Sequence, residues 1–591
     1  MNNRYKIVVT LLLNVLFNNV VISQTSLGTC DGFMSNLKKE LTKNHSDGSN
    51  KKGEMKSISL QIVGSEKFTG KVNYKESTVS GEFLIGEIKN VPESSFFIKV
   101  TDQFLEGHII LKKEREAYKY SSDFQGKAYV SKVDINSLIC IDYENILQGG
   151  SETSKNSSGK ISAALLNLES LPGGRSCVLL DFDGHYLPAG NKWNNGNAID
   201  AAPSGMSDAD ILQFFEIVSE DYKPFNLNIT TSEEVYNKYK ESLRLRVVVT
   251  PTNTAAPGSG GVAYIGSFGY GLPAWCFNVS SAKRGGEAAS HEIGHTFGLE
   301  HDGRISPKEE YFAGINGTSW APIMGAGYNR PITQWSKGEY NSANNNEDDV
   351  AIISSFGSPP GFVGFGVAAY RADDYGNGPS SAFSLTLDNK GKITQKEGII
   401  EKEGDNDFFA FTTTGGNVRI TANTSAKTNV GNLHLSIKLY NSEGVEMGQY
   451  WDSDPLKLNA SMDVNLTAGK YFISINGIGA GDATNGGYSA YGSIGSYTIS
   501  GTVPNNNLNT VSFDKNLNFV IYPNPSNKII TIRSDHDATL SLITILGKTI
   551  TTFKVKANIE DILNVENLSS GIYFLSEMRE GKLITHKFVR K

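Results

Sequence analysis

The sequence predicts a multidomain protein in which one α/β domain with a five-stranded sheet is flanked by a β-rich N-terminal domain and C-terminal β-sandwich domains. Three observations carry this prediction. The 591 residues are enough for about three or four domains. Two stretches rich in Ser, Gly, Lys or Pro, at 149–160 and 358–361, divide the chain. Between them apolar runs alternate with helical periodicity, whereas short alternating strands prevail outside them.

The composition favours a soluble globular protein. Hydrophobic residues make up 39% of the chain and charged residues 20%, and the formal net charge is −7 at pH 7. Because proteins that bind nucleic acids normally carry a basic excess, no nucleic-acid partner is expected. The only long apolar run lies at the N-terminus, so no transmembrane anchor is expected in the mature protein.

That apolar run predicts a signal peptide over residues 1–23. Arg4 and Lys6 precede the short apolar segment 7–17, and small residues then offer a cleavage position before Gln24. A buried N-terminal helix is the alternative. A signal peptide predicts a protein that is secreted or held at the cell surface.

Residues 24–160 are predicted to form a β-rich region that ends in a linker. Segments such as 57–63 (SISLQIV) and 83–88 alternate between apolar and polar residues, with hairpin-like breaks between them. The run 149–160 (GGSETSKNSSGK) has no apolar residue, which is typical of a flexible, protease-sensitive linker. A domain joined through such a linker suggests a propeptide. A carbohydrate-binding or protein-binding module would have the same pattern.

The stretch HEIGHTFGLEHDG, which begins at His291, contains the residues of a catalytic metal site. His291 and His295 lie four apart, so on a helix both imidazoles can bind one ion. Glu292 points beside the metal, where it can take a proton from a bound water. Gly298 allows a sharp turn at positive φ that brings His301 back as third ligand. Three histidines suit zinc and leave one tetrahedral position open, as catalytic sites require.

This pattern is too specific to arise by chance. With 9 His and 61 Gly in 591 residues, its random occurrence is on the order of 10⁻⁵ per chain. A bare H-E-x-x-H on a helix can be an ordinary surface face. The added Gly298 and His301 argue against that alternative.

The complete pattern resembles that of the metzincin metallopeptidases, and Asp302-Gly303 resembles their reprolysin (adamalysin) branch. The resemblance implies a twisted mixed sheet of five strands, Zn²⁺ as cofactor and a protein or peptide as substrate. It gives Gly298 and Asp302 structural roles. It also implies a methionine turn at 322–325, in which Met324 forms an apolar floor beneath the ligands. An ordinary core methionine is the alternative for Met324.

One family feature is missing. Astacins and serralysins have a tyrosine two residues after the methionine, and this chain has Ala326 there and Tyr328 four residues after Met324. We therefore expect no tyrosine zinc ligand or oxyanion donor. Stabilisation of the oxyanion is left mainly to the metal.

The α/β domain is assigned to residues 161–360. Ser207 with Asp210 forms a capping-box start for a helix that Pro224 ends. A closing helix is expected at 345–356, with Glu347, Asp348 and Asp349 in its first turn. Five segments supply the strands, namely 177–182, 228–231, 245–250, 260–268 and 274–279.

The resemblance also places a substrate cleft along the edge strand, where an extended peptide could add to the sheet. The candidates for this edge are Gly261, Val262, Ala263, Tyr264 and Ile265. A plain sheet edge is the alternative. Residues 328–340 would wall the pocket for the side chain after the scissile bond, with Tyr328, Ile332 and Trp335 as lining candidates.

Four cysteines in an exported chain allow three pairings. Cys30 and Cys140 precede the linker, whereas Cys177 and Cys276 follow it. Pairing within each domain is expected. The alternative is that Cys140 occupies the open zinc position as a latency switch, as in some metzincins, although no family switch motif surrounds it.

Residues 361–505 predict a β-sandwich that resembles the bacterial pre-peptidase C-terminal domain. The segments that support this resemblance are 405–408 (DNDF), 433–439 (LHLSIKL) and 468–471 (AGKY). Four acidic residues could bind Ca²⁺, or could only solvate loops. They are Asp373, Asp374, Asp405 and Asp407.

Residues 518–591 resemble the C-terminal sorting domain of the type IX secretion system. The start at 522–525 (YPNP) and the element 571–573 (GIY) carry this resemblance. It implies the type IX machinery as a partner and export across the outer membrane, with removal of the tail.

Together these patterns predict a secreted zinc endopeptidase, in which Glu292 deprotonates a water that attacks a peptide carbonyl and then protonates the leaving amine. The alternative is a secreted adhesive or glycan-binding protein with a structural zinc site. A zinc hydrolase acting on a non-peptide bond is a third possibility.

Overall fold

The computed structural model describes most of the chain outside the N-terminus and the linker. The described residues are 24–43, 56–78, 80–140, 161–314, 320–359, 362–424, 431–505, 519–579 and 582–591. The signal peptide and the linker, both expected from the sequence, lie outside these ranges and stay predictions. The chain divides into two compact units, a large one up to Thr386 and from Ile393 to Gly501, and a small one of Leu387–Lys392 and the residues from Thr502.

The N-terminal domain is one eight-stranded antiparallel sheet with a helix against it. Its elements are β1 Gln24–Thr29, α1 Cys30–Lys43, β2 Ser57–Gln61, β3 Lys67–Ser77, β4 Gly81–Ile88, β5 Ser94–Thr101, β6 Leu105–Leu111, β7 Glu116–Ser122 and β8 Lys127–Val133. Their order in the sheet is β1-β8-β7-β6-β5-β4-β3-β2. Helix α1, which the strand pattern did not predict, buries Phe33, Leu37 and Leu41 in one apolar cluster with the strands. Their four-residue spacing is the helical signal.

The central domain contains a five-stranded sheet. Its strands are β9 Ser176–Asp181, β10 His185–Leu187, β11 Ile199–Ala201, β12 Leu227–Thr230, β13 Arg244–Val249, β14 Gly261–Val262, β15 Ala274–Cys276, β16 Trp320–Pro322 and β17 Ile332–Gln334. The main sheet has the order β12-β9-β13-β15-β14, in which only β14, at the edge, is antiparallel to its neighbour. Strand β14 is much shorter than the predicted 260–268, because its pairing with β15 ends at Val262 and the chain then turns at Gly266, where φ is +68°.

Four helices complete the central domain. They are α2 Asp208–Asp221, α3 Glu233–Lys238, α4 Ala282–Thr296 and α5 Asp349–Ser355. Ser207 caps α2, and its hydroxyl accepts from Asp210 N at 3.2 Å. Helix α5 begins later than predicted, because Asp348 is its N-cap and accepts from Ala351 N at 2.9 Å. Glu347 therefore lies before the helix rather than in its first turn.

Helices α2 and α4 approach closely where α4 carries two glycines. A Cβ on Gly285 would lie 2.5 Å from Phe214 Cε2, and one on Gly286 would lie 2.9 Å from Ile217 Cβ. Any larger residue at these positions would push the two helices apart. The glycines thus fix the position of α4, the helix that carries the HEIGH sequence.

The sandwich domain consists of nine strands in two sheets. They are β18 Phe383–Ser384, β19 Lys396–Ile400, β20 Asp407–Thr413, β21 Gly416–Thr424, β22 Leu435–Tyr440, β23 Glu446–Tyr450, β24 Ala460–Leu466, β25 Gly469–Gly477 and β26 Gly495–Thr502. The sheet orders are β18-β20-β25-β22-β23 and β19-β26-β21-β24. Buried hydrogen bonds join this domain to the end of α2. Asn432 Nδ2 donates to Asp221 Oδ1 at 2.7 Å, and Ser496 N donates to Glu220 Oε1 at 2.7 Å.

The tail domain is a small sandwich of seven strands. They are β27 Val520–Tyr522, β28 Ile529–Arg533, β29 Ala538–Thr544, β30 Thr549–Val555, β31 Glu560–Asn564, β32 Gly571–Arg579 and β33 Lys582–Arg590. Its sheets have the orders β27-β28-β31 and β30-β29-β32-β33. Ile530, Leu540 and Leu575 lie in its buried core. Across the described part of the chain, no helix is both long and apolar enough to cross a membrane. The multidomain, strand-rich architecture that the sequence predicts is confirmed.

Candidate metal centre

Three histidine side chains converge at the end of helix α4. His291 and His295 lie on one face of the helix, and His301 returns to them after a turn in which Gly298 has φ of +102°. Leu299 N donates to Gly294 O at 3.2 Å and closes this turn. The Nε2 atoms of His291 and His295 are 2.9 Å apart, and those of His295 and His301 are 3.0 Å apart.

The opposite ring nitrogens are each held by an acceptor. The Nδ1 atoms of His291 and His295 lie 2.9 Å from Ile323 O and 2.7 Å from Leu299 O. His301 Nδ1 lies 3.0 Å from Glu310 Oε1. A proton on each Nδ1 leaves the Nε2 lone pairs facing one point. This donor set fits a zinc ion.

Burial favours the neutral form of two of these ligands. It holds the pKa of His291 and of His295 well below the ordinary value, and the neighbouring imidazoles add to the effect. Neutral imidazole is the form that binds a metal. Both rings are therefore ready to coordinate an ion at neutral pH.

Met324 lies beneath this cluster and is fully buried. A Cβ on Gly294 would lie 2.7 Å from the Met324 sulfur, so helix and methionine are in direct contact. Asp302 is buried beside the turn, and its N–H donates to Met324 O at 2.9 Å. Burial raises the pKa of the Asp302 carboxyl, and Glu347 adds to this rise. Asp302 thus links the third histidine to the methionine turn.

Glu292 is fully buried beside the histidines. Burial raises the pKa of its carboxyl well above the ordinary value, and the thiol of Cys140 opposes this rise. Gly261 of β14 makes room for the carboxylate, since a Cβ there would lie 2.6 Å from Glu292 Oε1. The edge strand and Glu292 are therefore in close contact.

Cys140, from the N-terminal domain, completes the cluster. Its Sγ and one nitrogen of each of the three histidines all lie within 4.8 Å of one another, and all four residues are buried. Tyr311 OH lies 3.7 Å from this Sγ. The four side chains form a His₃Cys group that could bind a metal.

The expected disulfides within each domain are wrong, because none of the four buried cysteines forms a disulfide. Cys177 lies on β9 and Cys276 on β15, and β13 separates these strands. Two strand spacings amount to roughly 10 Å, too far for a disulfide. Cys30 begins α1, whereas Cys140 faces the histidines.

The residues before Cys140 pair with the predicted cleft edge. Cys140 N donates to Ala263 O at 3.3 Å, and Ile265 N donates to Leu138 O at 3.1 Å. Ile139 lies opposite Tyr264 in antiparallel register. Gly261 and Val262 continue this edge as β14. The N-terminal domain therefore covers the edge where a substrate is expected.

The predicted pocket-lining residues are all buried. Asn278 Nδ2 donates to Tyr328 OH at 3.4 Å. Trp335 Nε1 donates to Asp221 O at 2.8 Å. Ile332 packs with aromatic residues in a cluster that includes Trp320. Their role in the substrate pocket stays a prediction.

Glu310, which the sequence pattern did not single out, orients His301. Its pKa is held below the ordinary value mainly by the hydrogen bond with His301. Asn136 of the N-terminal domain donates to the same Oε1 atom at 2.8 Å. No motif marks this residue, since it lies nine positions after His301 on a segment without regular structure.

We expect Glu310→Ala to weaken zinc binding by about 10-fold to 100-fold, because it removes the partner that fixes the His301 ring. Competition with a zinc chelator, carried out on the chain after cleavage within 141–160, measures the dissociation constant. The matched control is Glu309→Gln, since Glu309 pairs with Arg304 instead. Equal zinc affinity in all three proteins would show that Glu310 has no such role.

A second acidic cluster lies in the sandwich domain. Carboxylate oxygens of Asp373, Asp405 and Asp407 all lie within 4.8 Å of one another. Burial raises the pKa of Asp407 to about 9 and that of Glu401 to about 10, and Asp405 contributes to both. One buried oxygen of Asp407 and one of Glu401 have no hydrogen-bond partner. Asp374 is also shifted, since burial raises its pKa to about 6.

Comparison with known proteins identifies two segments. Residues 218–302 match the family described as metallo-peptidase family M12B reprolysin-like. Residues 520–591 match the secretion system C-terminal sorting domain. No significant match is found among curated proteins.

Similarity to solved structures is low. The pre-peptidase C-terminal domain of collagenase from Bacillus anthracis is 16% identical and has a TM-score of 0.15, with 21% of this chain and 97% of that chain covered. The BSP domain of a biofilm-associated protein is 14% identical with a TM-score of 0.12, and covers 31% of this chain and 29% of that chain. Ruminococcus gnavus β-glucuronidase is 10% identical with a TM-score of 0.11, and the match covers 37% of this chain and 37% of that chain.

The family match ends at Asp302 and so contains the HEIGH helix and the third histidine, while the second match covers the tail domain. A sorting domain of this kind marks a protein that passes through the secretion machinery. The chain thus carries a reprolysin-like metallopeptidase segment joined to a type IX sorting domain, and it is a secreted or cell-surface protein.

Proposed function

We propose that this protein is a secreted zinc metalloendopeptidase. The observation that carries the proposal is the convergence of three histidine Nε2 atoms beside the buried carboxylate of Glu292. When bound, Zn²⁺ supplies a Lewis acid that polarises a peptide carbonyl and acidifies water.

Each step of the reaction has a residue in this site. Ala263 O and Ile265 N, on the sheet edge, hydrogen-bond the substrate backbone in extended form. A Glu292 oxygen takes the proton of the attacking water and later gives it to the leaving amine. Because burial raises the pKa of Glu292, the carboxylate is a stronger base than an exposed glutamate.

We propose further that residues 24–140 act as a propeptide. Cys140 lies where the fourth ligand belongs, and Leu138–Cys140 occupy the substrate edge. Cleavage in segment 141–160 would allow Cys140 to leave the metal site and residues 138–140 to leave the sheet edge. The tail domain would serve export and then be removed, and Glu292, the histidines and the edge strand would remain together.

The test is hydrolysis of an unfolded protein by the full chain before and after cleavage within 141–160. We expect activity only after cleavage, its loss on zinc removal by a chelator, and its return with added zinc. Activity that survives complete metal removal would contradict the proposal.

The His₃Cys group also supports a second candidate, an adhesive protein with a structural zinc site. In that case residues 24–140 stay attached and Cys140 closes the site permanently. The same experiment separates the two, because the adhesive protein would bind zinc before and after cleavage but would hydrolyse nothing.

We also propose a calcium site at the acidic cluster of the sandwich domain. Asp405 and Asp407 are buried, and an unpartnered Asp407 oxygen is available for a cation. A bound Ca²⁺ would compensate the neighbouring carboxylate charge that, together with burial, raises the pKa of Asp407.

We expect Ca²⁺ at 100 times its dissociation constant to stabilise the folded protein by about 2.7 kcal/mol. Thermal unfolding with Ca²⁺ and with Mg²⁺ measures this gain. Asp407→Asn should abolish it, whereas Asp463→Asn, at an exposed aspartate of the same domain, should retain it. Equal melting temperatures with and without Ca²⁺ in the parent protein would refute the site.

A further inference from the structure

The N-terminal domain shows how an extended chain lies on the sheet edge. Leu138–Cys140 run antiparallel to residues 263–265, with hydrogen bonds on both sides of the Ile139–Tyr264 pair. These are the backbone groups that our proposed function assigns to substrate. The segment is therefore a guide to the position of a bound peptide.

The thiol of Cys140 sets the register of that peptide. Since its Sγ lies among the three histidines, Cys140 stands where the residue with the scissile carbonyl would stand. Ile139 then corresponds to the second residue on the N-terminal side of the scissile bond. Directly opposed residues of an antiparallel pair project to the same face, so its side chain lies with that of Tyr264.

The Ile139 side chain is buried in an apolar cluster to which both the N-terminal and the central domain contribute. It is 3% exposed and belongs to the same cluster as Trp193, Ala255, Val262 and Tyr264. The ring centroids of Trp193 and Tyr264 are 4.6 Å apart. These four residues belong to the central domain, so they remain when the N-terminal domain leaves.

A cavity of about 330 Å³ adjoins this position. On the central-domain side its lining includes the apolar residues Trp193, Ala255, Pro257 and Tyr264 together with Lys192, and residues of the N-terminal domain also line it. An isoleucine leaves much of this volume empty, so a larger side chain also fits. A basic side chain would lose its hydration there and would face the ammonium of Lys192.

We propose that this cavity is a specificity subsite that selects a large apolar side chain at the second residue before the scissile bond. The proposal rests on the proposed peptidase function and defines its substrate class. Apolar residues gain from burial against Trp193 and Tyr264, whereas glycine gains nothing and lysine loses its hydration beside Lys192.

The test uses the full chain after cleavage within 141–160 and four peptides that differ only at this position. We expect kcat/KM for the Ile and Phe peptides to exceed that of the Gly peptide by about 10-fold or more. The Lys peptide should be the poorest, because its ammonium would face that of Lys192. Ala255→Phe, which fills the cavity, should reduce the ratio of kcat/KM for the Phe peptide to kcat/KM for the Gly peptide. Ala209→Phe, at an exposed position of α2, is the control and should leave this ratio unchanged.

A second measurement needs no activity. In the uncleaved chain, Ile139→Asp should increase the rate of Cys140 alkylation by about 10-fold or more, whereas Ile139→Leu should not. Equal rates for the two variants would overturn the role of the cavity. Equal cleavage of all four peptides would overturn the subsite but leave the peptidase function intact, and cleavage of no substrate at all would overturn both.

Discussion

Replacing Glu292 by glutamine should reduce kcat for peptide hydrolysis by about 10²-fold to 10⁴-fold, with little change in KM. Glutamine keeps the size of the side chain but cannot accept the proton of the attacking water. Glutamine also fits beside Gly261, where the space next to Glu292 Oε1 is too small for a side chain larger than glycine at position 261. The substitution therefore removes proton transfer and preserves packing.

The measurement is steady-state hydrolysis by the cleaved chain, with the bound zinc quantified in each protein. Zinc content should be equal in parent and variant, because Glu292 is not a ligand. Glu300→Gln, at an exposed glutamate eight residues later, should behave as the parent does. A Glu292→Gln protein that binds zinc and retains full kcat would exclude Glu292 as the base.

Cys140→Ala in the uncleaved chain should raise the residual peptidase activity by about 10-fold to 100-fold. Loss of one ligand frees the fourth coordination position, which corresponds to roughly 1.4–2.8 kcal/mol of weaker inhibition. Activation should stay below that of the cleaved chain, since Leu138 and Ile139 still cover the sheet edge. Cleavage removes both the Cys140 thiol from the metal site and the segment that covers the sheet edge.

The matched control is Cys30→Ala, because Cys30 is likewise buried in the N-terminal domain without a disulfide but lies at the start of α1. Its activity should equal that of the uncleaved parent. Cobalt substitution gives a second measurement, since a thiolate ligand produces a charge-transfer band that Cys140→Ala should remove. An unchanged cobalt spectrum would show that Cys140 does not bind the metal.

Local sequence predicted the convergence of the three histidines, because they lie within one helix and one turn. Helical spacing aligns His291 with His295, and only a residue that tolerates positive φ, here Gly298, returns the chain to His301. The same local rules explain the capping of α2 by Ser207.

Long-range contacts could not be predicted in this way. Glu310 reaches His301 from an irregular segment, and Cys140 reaches the histidines from another domain. Cysteine counting favoured disulfides, but it contains no information on the β13 strand that separates Cys177 from Cys276. Short edge strands such as β14 are also poorly marked, because apolar periodicity continues through the turn at Gly266.

The burial of all four donor side chains affects how the ion is gained and lost. With Cys140, His291 and His295 fully buried and His301 4% exposed, a chelator would reach a bound ion only after the N-terminal domain had detached. The uncleaved chain should therefore exchange metal slowly, on the timescale of local opening rather than of ligand dissociation. Metal binding would have to precede docking of the N-terminal domain. We therefore expect the ion to bind during folding and to stay bound during export.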